Sequence, residues 1–292
     1  MSREKITEAV KKRTLISDGA WGTFLQKKGM QPGECPELWC IERPDDVCDI
    51  AKSYIDAGSD MVEADSFGGS ASKLEHFGLS DKAFEINKAA AELSRKAAGD
   101  DNWVIASIGP TGKMLVVEEI TPEDMYEEFK VQAMAFEAGG ADAACIETMS
   151  DIDEACIAIK AVKENTGLEA ICTFTFDRTV TGDYRTMMGV SPTDALNAAV
   201  QAGADVIGTN CGNGIERMIE IVTEMRSVNK DIPILVHANA GLPQNIDGKD
   251  VFPETPEDMA GMVPDLVKAG ANIIGGCCGT TPAHIKAMKN AL

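Results

Sequence analysis

Short apolar runs recur along the chain, and between them lie stretches whose apolar residues fall every three or four positions. The runs are 13–17 (RTLIS), 60–65 (DMVEAD), 103–108 (WVIASI), 142–147 (DAACIE), 169–176 (EAICTFTF), 204–209 (ADVIGT), 232–238 (IPILVHA) and 271–275 (ANIIG). Each is apolar almost throughout, as expected of strands buried on both faces. The stretches 84–97, 123–137, 151–164 and 194–201 carry the helical period. Strand and helix alternate, which predicts a parallel sheet. A weak repeat marks every second strand: Ala57-Gly58-Ser59-Asp60, Ala138-Gly139-Gly140-Ala141-Asp142, Ala202-Gly203-Ala204-Asp205 and Ala269-Gly270-Ala271-Asn272. In each copy a glycine sits where a helix C-cap wants positive φ, and a strand follows at once. Eight strands with a repeat on every second one predict an α/β (βα)8 TIM barrel occupying residues 1–292 as one domain. An open doubly wound sheet is disfavoured, because no G-x-G-x-x-G follows the first strand.

Three helix starts support this frame. Thr121-Pro122-Glu123-Asp124, Ser191-Pro192-Thr193-Asp194 and Thr255-Pro256-Glu257-Asp258 each place Ser/Thr at the N-cap, Pro at N1 and an acid at N3. Part of the acidic excess therefore serves helix N-termini. That excess is large: 27 basic against 47 acidic residues give a net charge of −20 over 292 residues. Such a charge argues against nucleic acid and anionic membrane surfaces as partners. Hydrophobic residues make up 44% and aromatics 5%, so the core must be largely aliphatic. The first residues, MSREKITEAVKKR, lack the apolar stretch of a signal peptide, and no apolar run approaches a membrane span. The nine cysteines are scattered, which points to free thiols and a reducing, cytoplasmic compartment.

Active sites of such barrels lie at the C-terminal ends of the strands. That rim would gather Asp18-Gly19-Ala20-Trp21-Gly22-Thr23, Glu63, Asp65, Ser107, Glu147, Asn210-Cys211-Gly212, His237-Ala238-Asn239 and Gly275-Gly276-Cys277-Cys278-Gly279. Adjacent cysteines are poor disulfide partners, and on a straight strand they would point to opposite faces. The flanking glycines allow the backbone to bend until both sulfurs face one point. Cys211 adds a third thiol. Buried filler is the bland reading of a lone Cys-Cys pair; the glycines, the third thiol and the barrel favour zinc on Cys211, Cys277 and Cys278 with a fourth position open. The other six cysteines are read as filler. A thiol entering the open position is deprotonated by the metal, which suits alkyl transfer to sulfur better than hydrolysis. Glu147 and Asp18 are candidates for an ammonium group. The backbone N–H groups of 18–23, at the start of a helix, are candidates for a carboxylate. Together they describe a thiol amino acid. Asn239 offers a neutral oxygen near the open position. His76, His237 and His284 read as satisfied core or surface histidines, and Lys113 lies past its strand, so Schiff-base chemistry is a poor fit.

Gly275-Gly276-Cys277-Cys278-Gly279-Thr280-Thr281-Pro282, Asn210-Cys211, Asn239-Ala240-Gly241-Leu242-Pro243 and Asp18-Gly19-Ala20-Trp21-Gly22-Thr23 resemble the zinc-dependent homocysteine S-methyltransferases, above all the homocysteine-binding module of cobalamin-dependent methionine synthase. The resemblance spans the chain in order. It implies a (βα)8 barrel, zinc on Cys211, Cys277 and Cys278, and homocysteine sulfur as fourth ligand in place of Asn239. It puts the substrate ammonium near Glu147 with Ser107 and Asp18 as helpers, and the carboxylate on the backbone from Ala20 through Gly22 to Thr23. Two loops depart from the family pattern: Glu63-Ala64-Asp65-Ser66-Phe67 stands for E-T-N-T-F, and Gly112-Lys113-Met114 for the commoner Asn-Arg pattern. They leave the methyl donor open. The chain ends soon after its last motif, so the donor is expected from outside it. The expected reaction moves a methyl group to zinc-bound homocysteine, giving methionine, with methylcobalamin on a separate corrinoid protein as donor. The alternatives are S-methylmethionine or another small donor, and a zinc-thiolate binding module without turnover.

Overall fold

The computed structural model describes residues 3–246 and 249–292. Eight strands form one parallel sheet: β1 (Leu15–Ile16), β2 (Met61–Ala64), β3 (Trp103–Ile108), β4 (Ala143–Met149), β5 (Glu169–Phe174), β6 (Val206–Asn210), β7 (Ile234–Ala238) and β8 (Ile273–Gly276). They follow in chain order from β2 round to β8, and β8 pairs with β1. Eight helices alternate with them: α1 (Pro44–Ala57), α2 (Ala83–Ala98), α3 (Pro122–Ala138), α4 (Ile152–Asn165), α5 (Pro192–Ala202), α6 (Ile215–Val228), α7 (Pro256–Ala269) and α8 (Pro282–Asn290). This is the expected (βα)8 barrel. No helix among the described residues is long and apolar enough to cross a membrane.

All eight strands fall inside or within two residues of the predicted runs. The three Ser/Thr caps form as read: Thr121, Ser191 and Thr255 accept the N–H of Asp124, Asp194 and Asp258. Three of the repeat glycines, Gly58, Gly203 and Gly270, are left-handed C-caps. The second copy differs: Gly139 is right-handed and the positive φ falls on Gly140.

The deeper reason for the repeat is its last residue, Asp in three copies and Asn in the fourth. Asp60, Asp142, Asp205 and Asn272 each donate their own N–H to the preceding strand, at Ile16, Val104, Ala170 and Ile234. Each side chain then accepts the N–H of that same residue. A basic side chain completes every copy: Arg13 on Asp60, Arg95 on Asp142, Lys163 on Asp205 and Arg226 on Asn272. The unit stitches β1 to β2, β3 to β4, β5 to β6 and β7 to β8, which is why it occurs on every second strand. Between β1 and β2, the two ends of the strand order, it closes the barrel. Replacing Asp142 by Ala leaves the Val104 N–H buried without its side-chain acceptor, and we expect a loss of about 2–3 kcal/mol, read as a lower urea midpoint at unchanged slope. Asp142→Asn should lose much less, since the fourth copy already uses asparagine.

Inside the barrel, Leu15, Met61, Ile105, Cys145, Ile171, Val206, Leu235 and Ile273 share one apolar cluster with the short helix Ile6–Ala9. That helix is pinned by Glu169, whose carboxylate accepts the N–H groups of Ile6 and Thr7. Strand alternation returns to the interior every second residue. The next inward positions are Ser17, Glu63, Ser107, Glu147, Thr173, Gly208, His237 and Gly275. The interior thus changes from aliphatic to polar within one step along all eight strands, at the end where the βα loops leave.

Candidate active site

Above that polar layer lies a cavity of about 360 Å³. Its wall includes Glu63, Ser107, Glu147, His237 and the three thiols Cys211, Cys277 and Cys278. Trp21, Gly22, Thr23 and Phe67 line it from the loops after β1 and β2.

The thiols converge as expected. Cys211 Sγ and Cys277 Sγ each lie 4.0 Å from Cys278 Sγ, and all three sulfurs lie within 4.8 Å of one another. The turn that brings the adjacent pair to one point is clamped at several places. The Cys277 N–H donates to Ala238, the Ala240 N–H donates to the Cys278 carbonyl, and Thr280 Oγ1 donates to the Cys277 carbonyl. Gly276 and Gly279 keep the turn open: a Cβ on either would strike Thr280 or Phe252. Cys211 has φ +58°, a conformation costly for a residue with a side chain. Cys211 is held as a thiolate, lowered to about 3 by the S–H groups of Cys277 and Cys278, with Asn239 contributing. The hydrogen bond to Cys211 in turn pushes Cys278 up to about 12 and Cys277 upward, with burial and the Cys211 charge adding to it. Three thiolates therefore need a cation between them. A metal bonded to sulfur at about 2.3 Å with tetrahedral angles spaces its sulfurs about 3.8 Å apart, close to the 4.0 Å from Cys278 to each of the other two. Asn239, 3% exposed, has its Oδ1 buried and without a hydrogen-bond partner among the described residues, beside Cys211. The residues present fit a thiophilic metal. All nine cysteines are free thiols, and the remaining six lie outside this cluster.

Glu147 is held at both of its oxygens. Ser107 donates to Oε1 through a short hydrogen bond, and Asn210 Nδ2 donates to Oε2 at 3.0 Å. Burial pushes its pKa up to about 7 against the pull of Ser107. Asn210 was not singled out from the sequence, yet it is a hub. It also donates to Thr148 Oγ1, and its Oδ1 accepts the Thr148 N–H and the Thr173 hydroxyl, each at 2.8 Å. Thr148, like Cys211, has a left-handed backbone, with φ +61°.

Asp18 is placed differently from the other candidates. It does not line the cavity. Its Oδ2 accepts the Trp21 indole N–H and the Glu63 N–H, and Ser17 donates to Oδ1. Asp18 thus ties β1 to β2 beneath the site, and burial raises it to about 6. The Ala20 N–H is already donated to Thr280 Oγ1. Gly22 and Thr23 open the helix Gly22–Lys27 on the cavity wall, where helix N–H groups lack partners within the helix.

Glu63 and His237 both line the cavity, and Glu63 Oε1 and His237 Nε2 have no partner among the described residues. The histidine is therefore not a satisfied core residue, as its strand position suggested. Counting two residues on from the apolar layer would have found both. In the altered β2 loop, Ala64, Asp65, Ser66 and Phe67 line the cavity. Asp65 Oδ2 is buried and unpaired among the described residues, and burial together with Glu37 pushes its pKa up. Lys113 stays outside, 3.6 Å from Glu75.

An eight-stranded barrel that gathers three thiols and a buried carboxylate at its C-terminal rim is suited to a soft metal beside a small amphoteric molecule. The sequence profile of the homocysteine S-methyltransferase family matches residues 15–292, and the chain belongs to that family of enzymes. It is 28% identical over 301 residues to the methionine synthase of Mycobacterium leprae (strain TN), and 27% over 305 residues to that of Mycobacterium tuberculosis (strain ATCC 25618 / H37Rv). These alignments cover 98% of the chain and a quarter of each relative. The metallated form of the homocysteine methyltransferase MmuM from Escherichia coli superposes with a TM-score of 0.80 at 21% identity, covering 98% of this chain and 99% of that one. At that identity the likeness speaks for the fold.

Proposed function

We propose that the 292 residues work as one barrel unit, a zinc-dependent methyltransferase that methylates homocysteine to methionine. The observation that carries this reading is the trio of sulfurs, all within 4.8 Å of one another, on the wall of the cavity that also holds Glu147. Zinc on Cys211, Cys277 and Cys278, when bound, supplies a Lewis acid that keeps the substrate sulfur ionised at neutral pH. The chain does the rest. Glu147, oriented by Ser107 and Asn210, takes the ammonium. The N–H groups of Gly22 and Thr23 take the carboxylate. Asn239 holds the Cys211 sulfur from the side, and Asp18 fixes the β1–β2 seam through Glu63. Binding at three points aims the sulfur toward the cavity mouth, which is a positioning effect.

For the donor we favour a methylated corrinoid protein. Two observations support it: the alignment with one quarter of methionine synthase, and exposed Met114, Val116, Val117, Val180 and Met187 in the loops after β3 and β5. The free thiols suit a reducing compartment such as the cytoplasm. The test is a donor screen on purified protein. About one zinc per chain is expected, with methionine formed from homocysteine and a methylated corrinoid protein. Methionine from S-methylmethionine alone would move the donor to the small sulfoniums. Zinc with homocysteine binding but no methionine from either donor would leave a binding module, and absence of zinc would refute the metal.

A further inference from the structure

The cavity floor holds an acceptor cluster separate from the thiols. Glu63 on β2, Glu147 on β4 and His237 on β7 each offer one atom to a set lying within 4.8 Å of one another. All three residues are more than nine-tenths buried, at 8%, 7% and 2% exposure. Glu63 Oε1 and His237 Nε2 have no hydrogen-bond partner among the described residues, and His237 Nδ1 stands 3.5 Å from Glu63 Oε1, too far for a good bond. The acceptors are aimed rather than accidental. Asp18 fixes the Glu63 backbone. Ser107 and Asn210 leave each Glu147 oxygen a second lone pair. Gly275 makes room for the His237 ring, since a Cβ there would lie 2.8 Å from Cδ2.

The charge balance points to a cation. No lysine or arginine lines the cavity among the described residues, while Glu37, Glu63, Asp65 and Glu147 do. Burial raises the pKa of Glu63 and Glu147, with the two carboxyls adding to each other at Glu63. Burial also keeps His237 neutral, at about 4, so that its ring can accept. The match in number favours an ammonium. A primary ammonium has three N–H donors, and the floor has three acceptors.

We infer that Glu63 and His237 complete, with Glu147, a three-acceptor socket for the substrate's primary ammonium, and that this socket selects an α-amino thiol over its des-amino analogue. The inference rests on the reading of the site as a thiol amino acid pocket. It makes Glu63 and His237 specificity residues, one with charge and one without.

The test compares homocysteine with 4-mercaptobutanoate, which keeps the thiol and carboxylate and lacks the amine. Cobalt-substituted protein reports thiol binding through its thiolate-to-metal absorption, independently of turnover. Wild type should bind homocysteine at least about a hundredfold more tightly than the des-amino thiol. Glu63→Gln and His237→Phe should each cut that ratio about tenfold or more, with 4-mercaptobutanoate affinity unchanged within about twofold. His237→Gln, which keeps an acceptor, should recover part of the ratio and serves if the phenylalanine variant misfolds. An unchanged ratio in Glu63→Gln and both histidine variants overturns the socket. So does a second metal per chain that is lost in Glu63→Gln. Wild type that binds neither thiol at the metal would instead sink the reading of the pocket itself, and the socket with it.

Discussion

Cys211→Ala is expected to strip the rim of its metal and lower methyl transfer to homocysteine by about a thousandfold or more, while leaving the barrel folded. Two thiols remain after the change, and they are adjacent in sequence. Structural zinc sites are worth about 10–16 kcal/mol in all, so one of three thiolate ligands accounts for several kcal/mol, and zinc affinity should fall at least about a thousandfold. The rate follows the metal, because without it the homocysteine thiol is mostly protonated at neutral pH. Folding should survive for two reasons. The Cys211 side chain is only part-buried at the rim, and its backbone strain at φ +58° is one that alanine also bears. The Cys211 N–H still donates to the His237 carbonyl. A metal count, a methionine assay and a thermal melt on the same sample check this. Full zinc occupancy with near-normal turnover would remove Cys211 from the metal site, and a melt far below that of metal-free wild type would make the residue structural instead.

The barrel was legible because its two periodicities are strong. Strands buried on both faces stand out as apolar runs, and Ser/Thr-Pro-x-acid and alanine-glycine-x-acid segments mark where helices start and stop. The thiol trio was legible for a related reason: flanking glycines are a local signal, and the strand order brings Cys211 on the β6 end toward the β8 end. The parts that were not legible depend on partners distant in sequence. Asp142 looked like a residue that merely follows a C-cap, but its work is done 38 residues away on the Val104 N–H. Asp18 carries a carboxylate on the predicted rim, yet Trp21 and Glu63 occupy it. His237 is a strand residue whether or not its ring is satisfied, and only the ring's surroundings distinguish the two. Asn210 was quoted as a neighbour of Cys211, while its four hydrogen bonds reach into β4 and β5.

Those four bonds lead to the second large effect. Asn210→Ala is expected to weaken metal and homocysteine binding together, each by about tenfold or more, and to lower stability by about 3–4 kcal/mol. The side chain is fully buried and makes bonds to Glu147, to the Thr148 N–H and hydroxyl, and to Thr173. Removing it frees Glu147 to rotate away from the cavity. It also releases Thr148 from a left-handed conformation that costs about 1–3 kcal/mol when nothing enforces it. Thr148 and Cys211 are the strained residues at the site, and Asn210 stands between them, bonded to one and preceding the other. Asn210→Asp separates the two functions. Its oxygens can still accept from Thr148 and Thr173, so the Cys211 turn and the metal should hold. The donor to Glu147 Oε2 is lost, however, and a second carboxyl faces the first, which favours protonation of the pair and weakens the ammonium site. Zinc affinity by chelator competition should therefore fall in the alanine variant and stay within about threefold of wild type in the aspartate variant, whereas homocysteine affinity should fall in both. Equal zinc affinity in wild type and Asn210→Ala would show that the strained Cys211 turn holds itself, without the hub beside it.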